Sequence, residues 1–599
     1  MSQASSSSSV FRVFFSFVLW RPNRLLVVLP LLVAIWVGFV GDAMAQGEVR
    51  DFIEQYVADV KSLDHRYPIP LDEKAHHLRI QVTKEWLSKL DALEFSDLDR
   101  VGQIDFILLR SELKYRIEKL ELDWQRDQAA LIYLPYAQQI VRLCRDRENV
   151  ERIEGADIAA AYNKLVKDVA LQSELLTKPA ADAEPSYSVQ QRLDALRAAG
   201  LLQRLESRLR EMHGFYSGYD PQYSWWAKKP FEALSSKLSH HRELLRDKVV
   251  GVPETDKETI VGLPIGADGL KLELQHEWIV HTPEELIELA KREMTWCETE
   301  MAKASAELGF GADWNAAMEH TKSKHVQPGD QPEMIRNLAW EAIRFLEAHD
   351  LLTIPAMAAN GWRMTMMSPQ RQRVSPYFLG GDTIIVSFPT DDMTHEEKLM
   401  SMRSNNEHFS RATVHHELIP GHHMQRYMLP RHLPYRKLFS TPFWIEGWAL
   451  YWEMLLWDLD FAQSAEDRVG MLFWRKHRCA RIIFSLSYHL GTMTPEQCID
   501  YLVERVGHER SAATAEVRRS IMGGYSPLYQ AAYMLGGLQI REMHREFVQS
   551  GKMTNRGFHD AILKQHSIPI EPLRLFLQDG ELTRDMQPSW RFADANEEN

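Results

Sequence analysis

Cysteine is scarce in this sequence of 599 residues, which contains only Cys144, Cys297, Cys479 and Cys498. No two of them form a C-x-x-C pair, so neither a zinc ribbon nor a thioredoxin-type redox site is indicated. Four cysteines in so long a chain also cannot build a dense disulfide framework. We therefore predict that the four side chains are buried free thiols.

An excess of positive charge is missing as well, because the formal net charge is -13 at pH 7. Proteins that bind nucleic acid normally present a basic surface to phosphate, so we expect no nucleic acid partner. The sequence also has no repeat of fixed period, which argues against a solenoid. Its 45% of hydrophobic residues, with 17 Trp, 24 Phe and 24 Met, are enough to build a large folded core.

A hydrophobic run at residues 25–41 follows Arg21 and Arg24 near the N-terminus. It is followed by Ala-Met-Ala at 43–45, which fits the small-x-small site of signal peptidase. We predict that residues 1–45 are a cleaved signal peptide, that the protein is exported to the periplasm or the extracellular space, and that no stable membrane insertion remains. The alternative is an uncleaved N-terminal membrane anchor, because the run is at the short limit for a bilayer span. No cysteine lies near the junction, so a lipoprotein anchor is not expected.

Hydrophobic periodicity predicts a mainly α-helical protein. Residues 46–250 read as an N-terminal helical region, and a Pro- and Gly-rich stretch at 251–269 opens a second region, 251–599. We expect the two regions to form one continuous helical unit. Alternation at 270–280 is typical of a strand, and β-branched residues within 375–392 predict a small sheet just before a histidine-rich stretch.

That stretch, HHELIPGHHM at residues 415–424, begins like the zinc-peptidase signature H-E-x-x-H but has Pro420-Gly421 before its next histidine. The signature works because histidines four apart share one face of a helix. In a straight helix, His422 would point about 120° away from His416, and His423 would lie ~10.5 Å further along the axis. Zinc–ligand bonds are only ~2.1 Å long, so a straight helix excludes a shared metal.

Pro420 removes this obstacle, because it has no N–H for the carbonyl of His416 and its ring clashes with that carbonyl. Gly421 permits a positive φ at little cost. We predict that the helix ends or distorts at Pro420 and that the chain swings His422 back toward His416. His423 remains an alternative ligand, and a histidine-rich helix end on the surface remains the alternative to any metal site.

A third ligand is predicted downstream, in the apolar segment PFWIEGWALYWEML at residues 442–455. Its only acidic residues are Glu446 and Glu453. A carboxylate in so apolar a setting is costly to ionise unless something pairs with it, and a metal ion would do so. The alternative is that Glu446 faces solvent or pairs with an arginine.

The stretches HHELIPGHHMQ and WIEGWALYWE together resemble the bacterial domain-of-unknown-function-885 family, whose hallmark is H-E-x-x-P-G-H-H-x-Q. That family is grouped with the zinc peptidases whose third ligand is glutamate, the gluzincins. The second stretch is also similar to the helix that follows H-E-x-x-H in the thimet oligopeptidase group. The resemblance extends over most of the mature chain. It implies a large helical zincin-like peptidase body with a deep channel, one zinc on its floor and a small β-sheet beside the active-site helix.

Carried onto this sequence, the resemblance implies that His416, His422 and Glu446 are Zn2+ ligands and that Glu417 is the general base. Three protein ligands leave a fourth position open, as catalytic zinc requires. Glu453 would orient a ligand histidine, although a purely structural acid is an equal alternative.

Tyrosines at helical spacing occur in GGYSPLYQAAYMLGG, residues 523–537. A site of this type needs a donor for the developing oxyanion, and a tyrosine hydroxyl can supply it. Tyr529 and Tyr525 are the candidates, and simple helix packing is the alternative for both.

The sequence therefore predicts an exported zinc-dependent metallohydrolase, a peptidase with a peptide substrate and its catalytic region at 251–599. The alternative is a catalytically inactive helical pseudo-peptidase that acts as a binding or structural protein. Glu417 favours catalysis, because a structural zinc does not need a base. The sequence leaves the cleavage specificity and the oligomeric state open.

Overall fold

The computed structural model describes residues 49–177, 187–372 and 378–593. The predicted signal peptide, residues 1–45, lies outside the described residues. The described chain is mainly helical, as predicted. None of its helices is long and apolar enough to cross a membrane. All four cysteines are buried and free, which confirms the prediction made for them.

Long helices make up the described chain before residue 251. Asp72, Asp99, Ser188 and Asp220 cap four of these helices by accepting backbone N–H groups in their first turns. The helices are α1 (49–66), α2 (Glu73–Asp91), α3 (Arg100–Ala130), α4 (Ala137–Glu148), α5 (Gly155–Thr177), α6 (Val189–Ser217) and α7 (Pro221–Leu244).

Two hydrophobic cores divide these helices between them. The end of α3 and helices α4 to α7 enclose one core, which includes Tyr136, Tyr162 and Tyr223. Helix α1 and the first half of α3 belong instead to a larger core that they share with the chain after residue 260. The N-terminal helices therefore pack directly onto the second region.

The second region begins with five helices before its sheet. They are α8 (Gly266–His276), α9 (Pro283–Glu307), α10 (Trp314–Ser323), α11 (Gln331–Ala348) and α12 (Ala356–Gly361). The strand predicted at 270–280 is wrong, because most of these residues lie in α8. Its alternating Leu270, Leu272 and Leu274 are all buried, since α8 packs against α3, α9 and the later helix Ala465–Leu490, which cover more than one of its faces.

The predicted small sheet has two parallel strands in the described chain, β1 (Arg363–Met366) and β2 (Thr383–Val386), with α13 (Pro369–Gln372) between them. The sequence indicated β2 but not β1, which is short and mostly exposed. Ile384 and Val386 pack against Val414 and Leu418, so the sheet lies beside the histidine-bearing helix, as predicted. Residues 375–377 of the predicted strand segment lie outside the described residues.

The remaining helices of the described chain follow the sheet. They are α14 (His395–Ser404), α15 (Glu407–Glu417), α16 (His422–Met428), α17 (Pro442–Asp458), α18 (Ala465–Leu490), α19 (Pro495–Tyr501), α20 (Arg510–Met522), α21 (Tyr529–His544), α22 (Asn555–Leu563) and α23 (Ile570–Leu577). Helix α18 is almost wholly buried and packs against α9, α15 and α21.

Helices α17 and α21 approach each other closely at two glycines. A Cβ atom on Gly447 would lie 2.6 Å from the backbone of Gly536, and one on Gly536 would lie closer than 3.0 Å to the carbonyl oxygen of Phe443. Neither position has room for a side chain. This close crossing holds the N-terminal turns of the two helices side by side, which positions Glu446 and Tyr529.

We expect Gly536→Ala to destabilise the protein by about 1–3 kcal/mol or more, because the added methyl group must push α21 away from α17. Thermal or denaturant unfolding measures this loss. Gly537→Ala is the matched control, since its Cβ would lie 3.3 Å from the nearest atom and requires only a small adjustment. Equal stability of the two variants would contradict the proposed packing constraint.

Candidate metal centre

The histidine-bearing helix is interrupted at the position where the sequence requires it. Helix α15 ends at Glu417, α16 begins at His422, and the Ile419–Pro420 peptide bond between them is cis. Gly421 N–H donates to the carbonyl of His415 (3.0 Å), and Trp448 Nε1 donates to the carbonyl of Pro420 (2.8 Å). These bonds fix the path of the chain across the break.

Gly421 serves a different purpose from the expected one. Its φ is -77°, so the positive φ that glycine permits is not used. A Cβ atom at this position would instead lie closer than 3.0 Å to the carbonyl group of His416. Glycine is required because the chain folds back directly onto the last turn of α15.

This reversal brings the three predicted ligands together. Glu446 Oε2 lies 3.2 Å from His422 Nε2 and 3.7 Å from His416 Nε2, and one ligand atom from each residue lies within 4.8 Å of the others. Tetrahedral bonds of about 2.0–2.1 Å place neighbouring ligand atoms about 3.3–3.4 Å apart. The two separations that involve Glu446 bracket this value, so the cluster has the size of a zinc site.

The buried oxygen Oε2 of Glu446 accepts no hydrogen bond from the described residues, whereas its Oε1 accepts one from the Tyr529 hydroxyl (2.6 Å). Burial alone would raise the pKa of Glu446, but the adjacent His422 and His416 rings hold it well below its usual range. A buried carboxylate oxygen without a partner is costly. A cation between the three residues would remove that cost.

The other nitrogen of each ring is occupied by an acceptor. His416 Nδ1 lies 2.7 Å from Glu453 Oε1, and His422 Nδ1 lies 2.9 Å from Gln425 Oε1. An acceptor at Nδ1 places the proton there and leaves the lone pair on Nε2, which faces Glu446. Glu453 therefore has the position predicted for it, and Gln425 has the same role for the second histidine.

The charges of this group are strongly coupled. Burial opposes protonation of His416, but Glu446 and Glu453 outweigh it and raise the pKa of His416 to about 9. Burial likewise opposes ionisation of Glu453, and His416 overcomes it, so the pKa of Glu453 is lowered. Glu446 and Glu453 are therefore ionised. Their negative charge must be balanced either by protons on the histidine rings or by a metal ion.

His423, the alternative ligand, is directed away from this cluster. Its Nδ1 lies 3.2 Å from the carbonyl oxygen of Gly381, and its Nε2 lies 3.1 Å from that of Ala358. Both nitrogens are therefore engaged with backbone on the sheet side of α16. The geometry favours His422 as the second ligand.

Glu417, the predicted base, is the last residue of α15 and lines the same cleft as the three ligands. Gly380 packs against it so closely that a Cβ atom there would lie within 3.0 Å of Glu417 Oε2. Burial raises the pKa of Glu417, although the His416 and His422 rings partly offset the effect. A carboxylate with a raised pKa beside the ligands is suited to proton transfer.

The tyrosines are close to the site but differ in their surroundings. Tyr529 begins α21 and donates to Glu446, so its hydroxyl supports a ligand rather than the open cleft. Tyr525 precedes the helix, is 38% exposed and stacks on Tyr529 with ring centroids 4.5 Å apart. Tyr533, one turn further along α21, was not singled out by the sequence, and its hydroxyl lies 3.5 Å from that of Tyr529.

A cleft of about 850 Å³ is lined by the three candidate ligands, by Glu417 and Gln425, and by the three tyrosines. The chain from Phe378 to Thr383 forms one wall, and α18, α20 and α21 contribute to the others. Its basic lining residues are Arg371, Arg426, Arg478, Arg481 and Arg519.

These observations define a mainly helical protein with a cluster of two histidines and a glutamate at a cleft that could hold a metal ion. The chain belongs to the family described as bacterial protein of unknown function (DUF885), whose model matches residues 54–575.

Two solved structures share this fold. One, from Shewanella oneidensis, carries the description "putative lipoprotein of unknown function". Its sequence is 18% identical to this one, the alignment covers 88% of this chain and 98% of the other, and the TM-score is 0.63. The other is a "putative lipoprotein" from Colwellia psychrerythraea. It is 14% identical, the alignment covers 89% of this chain and 98% of the other, and the TM-score is 0.53. No curated protein sequence matches the chain.

The two adjacent histidines provide a matched pair of variants. We expect His422→Ala to lose stoichiometric zinc after dialysis, because one of three ligand atoms is removed. His423→Gln should retain zinc, since His423 contacts only backbone carbonyls. Elemental analysis of the purified proteins measures both. Zinc loss in His423→Gln with retention in His422→Ala would reverse the assignment.

Glu453→Gln tests the support of His416. The amide cannot reproduce the charged hydrogen bond to Nδ1, so we expect zinc affinity to fall about 10- to 100-fold while the fold is retained. Competition with a chromophoric chelator measures the affinity, and circular dichroism checks the fold. Unchanged affinity would show that Glu453 is only a structural acid.

Proposed function

We propose that this protein is a zinc-dependent metallohydrolase, specifically a peptidase related to the glutamate-ligand zinc peptidases, including the thimet oligopeptidase group. The observation that carries the proposal is the orphaned buried oxygen of Glu446 beside the Nε2 atoms of His416 and His422. The zincin-like body and its channel belong to the same proposal.

The donor set supports zinc. Two imidazole nitrogens and one carboxylate oxygen are borderline and hard ligands of the kind found in catalytic zinc sites, with a fourth position left for water or substrate. Zinc held there would polarise a carbonyl and lower the pKa of a water molecule. The hydrogen bonds from Nδ1 to Glu453 and Gln425 hold both rings in the ligating tautomer.

The residues of the chain supply the proton transfers. Glu417 takes a proton from the attacking water and passes it to the leaving amine, as its raised pKa and its place in the cleft favour. Tyr529 holds Glu446 in position through its hydroxyl. Tyr525 is the more accessible of the two predicted tyrosines and the better candidate to donate to the oxyanion.

The wall of the cleft formed by Leu379, Gly380 and Gly381 supports a peptide substrate. An extended peptide that paired with the backbone at Gly380 would add a strand along this wall. The exported location remains part of the proposal. It is supported by residues 1–45 and by the lipoprotein descriptions of the two similar structures.

Glu417→Gln separates metal binding from catalysis. We expect the variant to bind zinc like the unmodified protein and to hydrolyse peptides at least ~100-fold more slowly, because the base is lost. A peptide-library digest read by mass spectrometry, with and without chelator, measures cleavage. Glu396→Gln, which changes an exposed acid, is the control and should behave like the unmodified protein.

Full cleavage by Glu417→Gln would remove this residue from the mechanism. If the zinc-loaded unmodified protein cleaves nothing in the library, the alternative of an inactive binding or structural protein is favoured.

A further inference from the structure

Two buried arginines on α18 line the cleft, and each also has a hydrogen-bond donor without a partner among the described residues. Arg478 is 6% exposed and Arg481 is 5% exposed. Arg478 Nε and Arg481 Nη1 are buried and have no partner among the described residues. Because the guanidinium group stays charged in proteins, each unused donor on it represents an uncompensated cost.

The acids that pair with these arginines are shared with other groups. Glu516 is shared, since it accepts from Arg481 Nε (2.7 Å) and pairs with Arg519 Nη2 (3.1 Å). The carboxylate near Arg478 is Glu453, whose Oε1 is 3.9 Å away and already bound to His416. Arg519 adds a third guanidinium to the cleft, with Nε also buried and unpaired among the described residues.

The arginines are close to the candidate metal ligands. The guanidinium carbons of Arg478 and Arg481 lie 4.8 and 4.7 Å from the ring centroid of Tyr533. The same ring lies 6.3 Å from that of His416. The distance from either guanidinium carbon to the His416 ring therefore cannot exceed the sum of the two distances through Tyr533. That sum is about the length of three extended residues.

Unpaired arginine donors alone do not make a site, as Arg475 shows on the same helix. Arg475 also has unpaired Nε and Nη1 atoms among the described residues. It bonds to Glu293, stacks on Trp296 and does not line the cleft. What distinguishes Arg478 and Arg481 is that both side chains line the cleft that contains the candidate metal ligands.

We propose that Arg478 and Arg481, backed by Arg519, bind a substrate carboxylate, so that cleavage takes place within about three residues of a peptide's free C-terminus. The inference rests on the proposed peptidase function and specifies its substrate class. Guanidinium groups recognise any carboxylate through charged hydrogen bonds. A glutamate side chain has the same chemistry, so the test must separate the two sources.

The test compares N-acetylated tetrapeptides that end in a carboxylate or a carboxamide, with alanine or glutamate at the third residue. We expect the zinc-loaded protein to prefer the free acid about 10- to 100-fold in kcat/KM, mainly through KM, the range for losing one charged hydrogen bond. Arg481→Gln should lose that preference, because its kcat/KM should fall more for the free acids than for the amides. Arg475→Gln, the matched control, should keep it.

Equal cleavage of acid and amide peptides would overturn the carboxylate site and leave the peptidase function standing. The same holds if Arg481→Gln slows all four peptides equally, since that indicates a structural role. A preference that follows glutamate instead of the C-terminus would overturn the assignment to a free C-terminus.

Titration calorimetry with the zinc-loaded Glu417→Gln protein separates failure of this inference from failure of the proposed function. We expect the dissociation constant of the free-acid peptide to be at least about 10-fold lower than that of its amide. The additional change Arg481→Gln should remove this difference. This result without any hydrolysis by the unmodified protein would support the carboxylate site and contradict the peptidase function. Equal binding of acid and amide would overturn the site whether or not hydrolysis occurs.

Discussion

The return of the chain between Glu417 and His422 is the constraint on which the candidate site depends. Gly421 lies so close to the His416 carbonyl that no side chain fits, and its N–H bonds to the carbonyl of His415. Trp448, from the helix that carries Glu446, donates to the carbonyl of Pro420 and ties the reversal to that helix. The same bonds that stabilise the break therefore set the distances between the three ligands.

Acidic residues accumulate around this reversal because the fold brings separate helices to one point. Helices α17 and α21 contact each other at their glycines, and Glu446 of α17 accepts a hydrogen bond from the hydroxyl of Tyr529 of α21. Two turns further along α17, Glu453 bonds to His416. Each carboxylate is buried, so each requires a fixed positive partner. The histidines can meet this demand only by taking protons, which a divalent cation would displace. Packing and metal chemistry are thus linked through the same few side chains.

Local patterns in the sequence predicted much of this arrangement. The predictions that failed did so for physical reasons. Helical arithmetic required a break at Pro420, and the apolar surroundings of Glu446 indicated a buried carboxylate. Most of the strand expected at 270–280 lies in α8. This short helix packs against several neighbours, so leucines on more than one of its faces are buried, and the resulting sequence alternates like that of a strand. The role of Tyr529 depends on a contact between helices distant in sequence, which no local pattern encodes. Gln425, in contrast, lies three residues after His422 in the same helix, so the spacing in the sequence could have indicated its contact.

The cleft contains charged groups of both signs, which bears on how a peptide would lie in it. The carboxylates of Glu417 and Glu446 line the metal side, whereas Arg478 and Arg481 contribute guanidinium groups separated from His416 by the ring of Tyr533. A chain with a negative end has one favourable direction in such a field, because the reverse orientation places a like charge against the acids. Substrate orientation would then follow from the same helix, α18, that anchors the core behind the site.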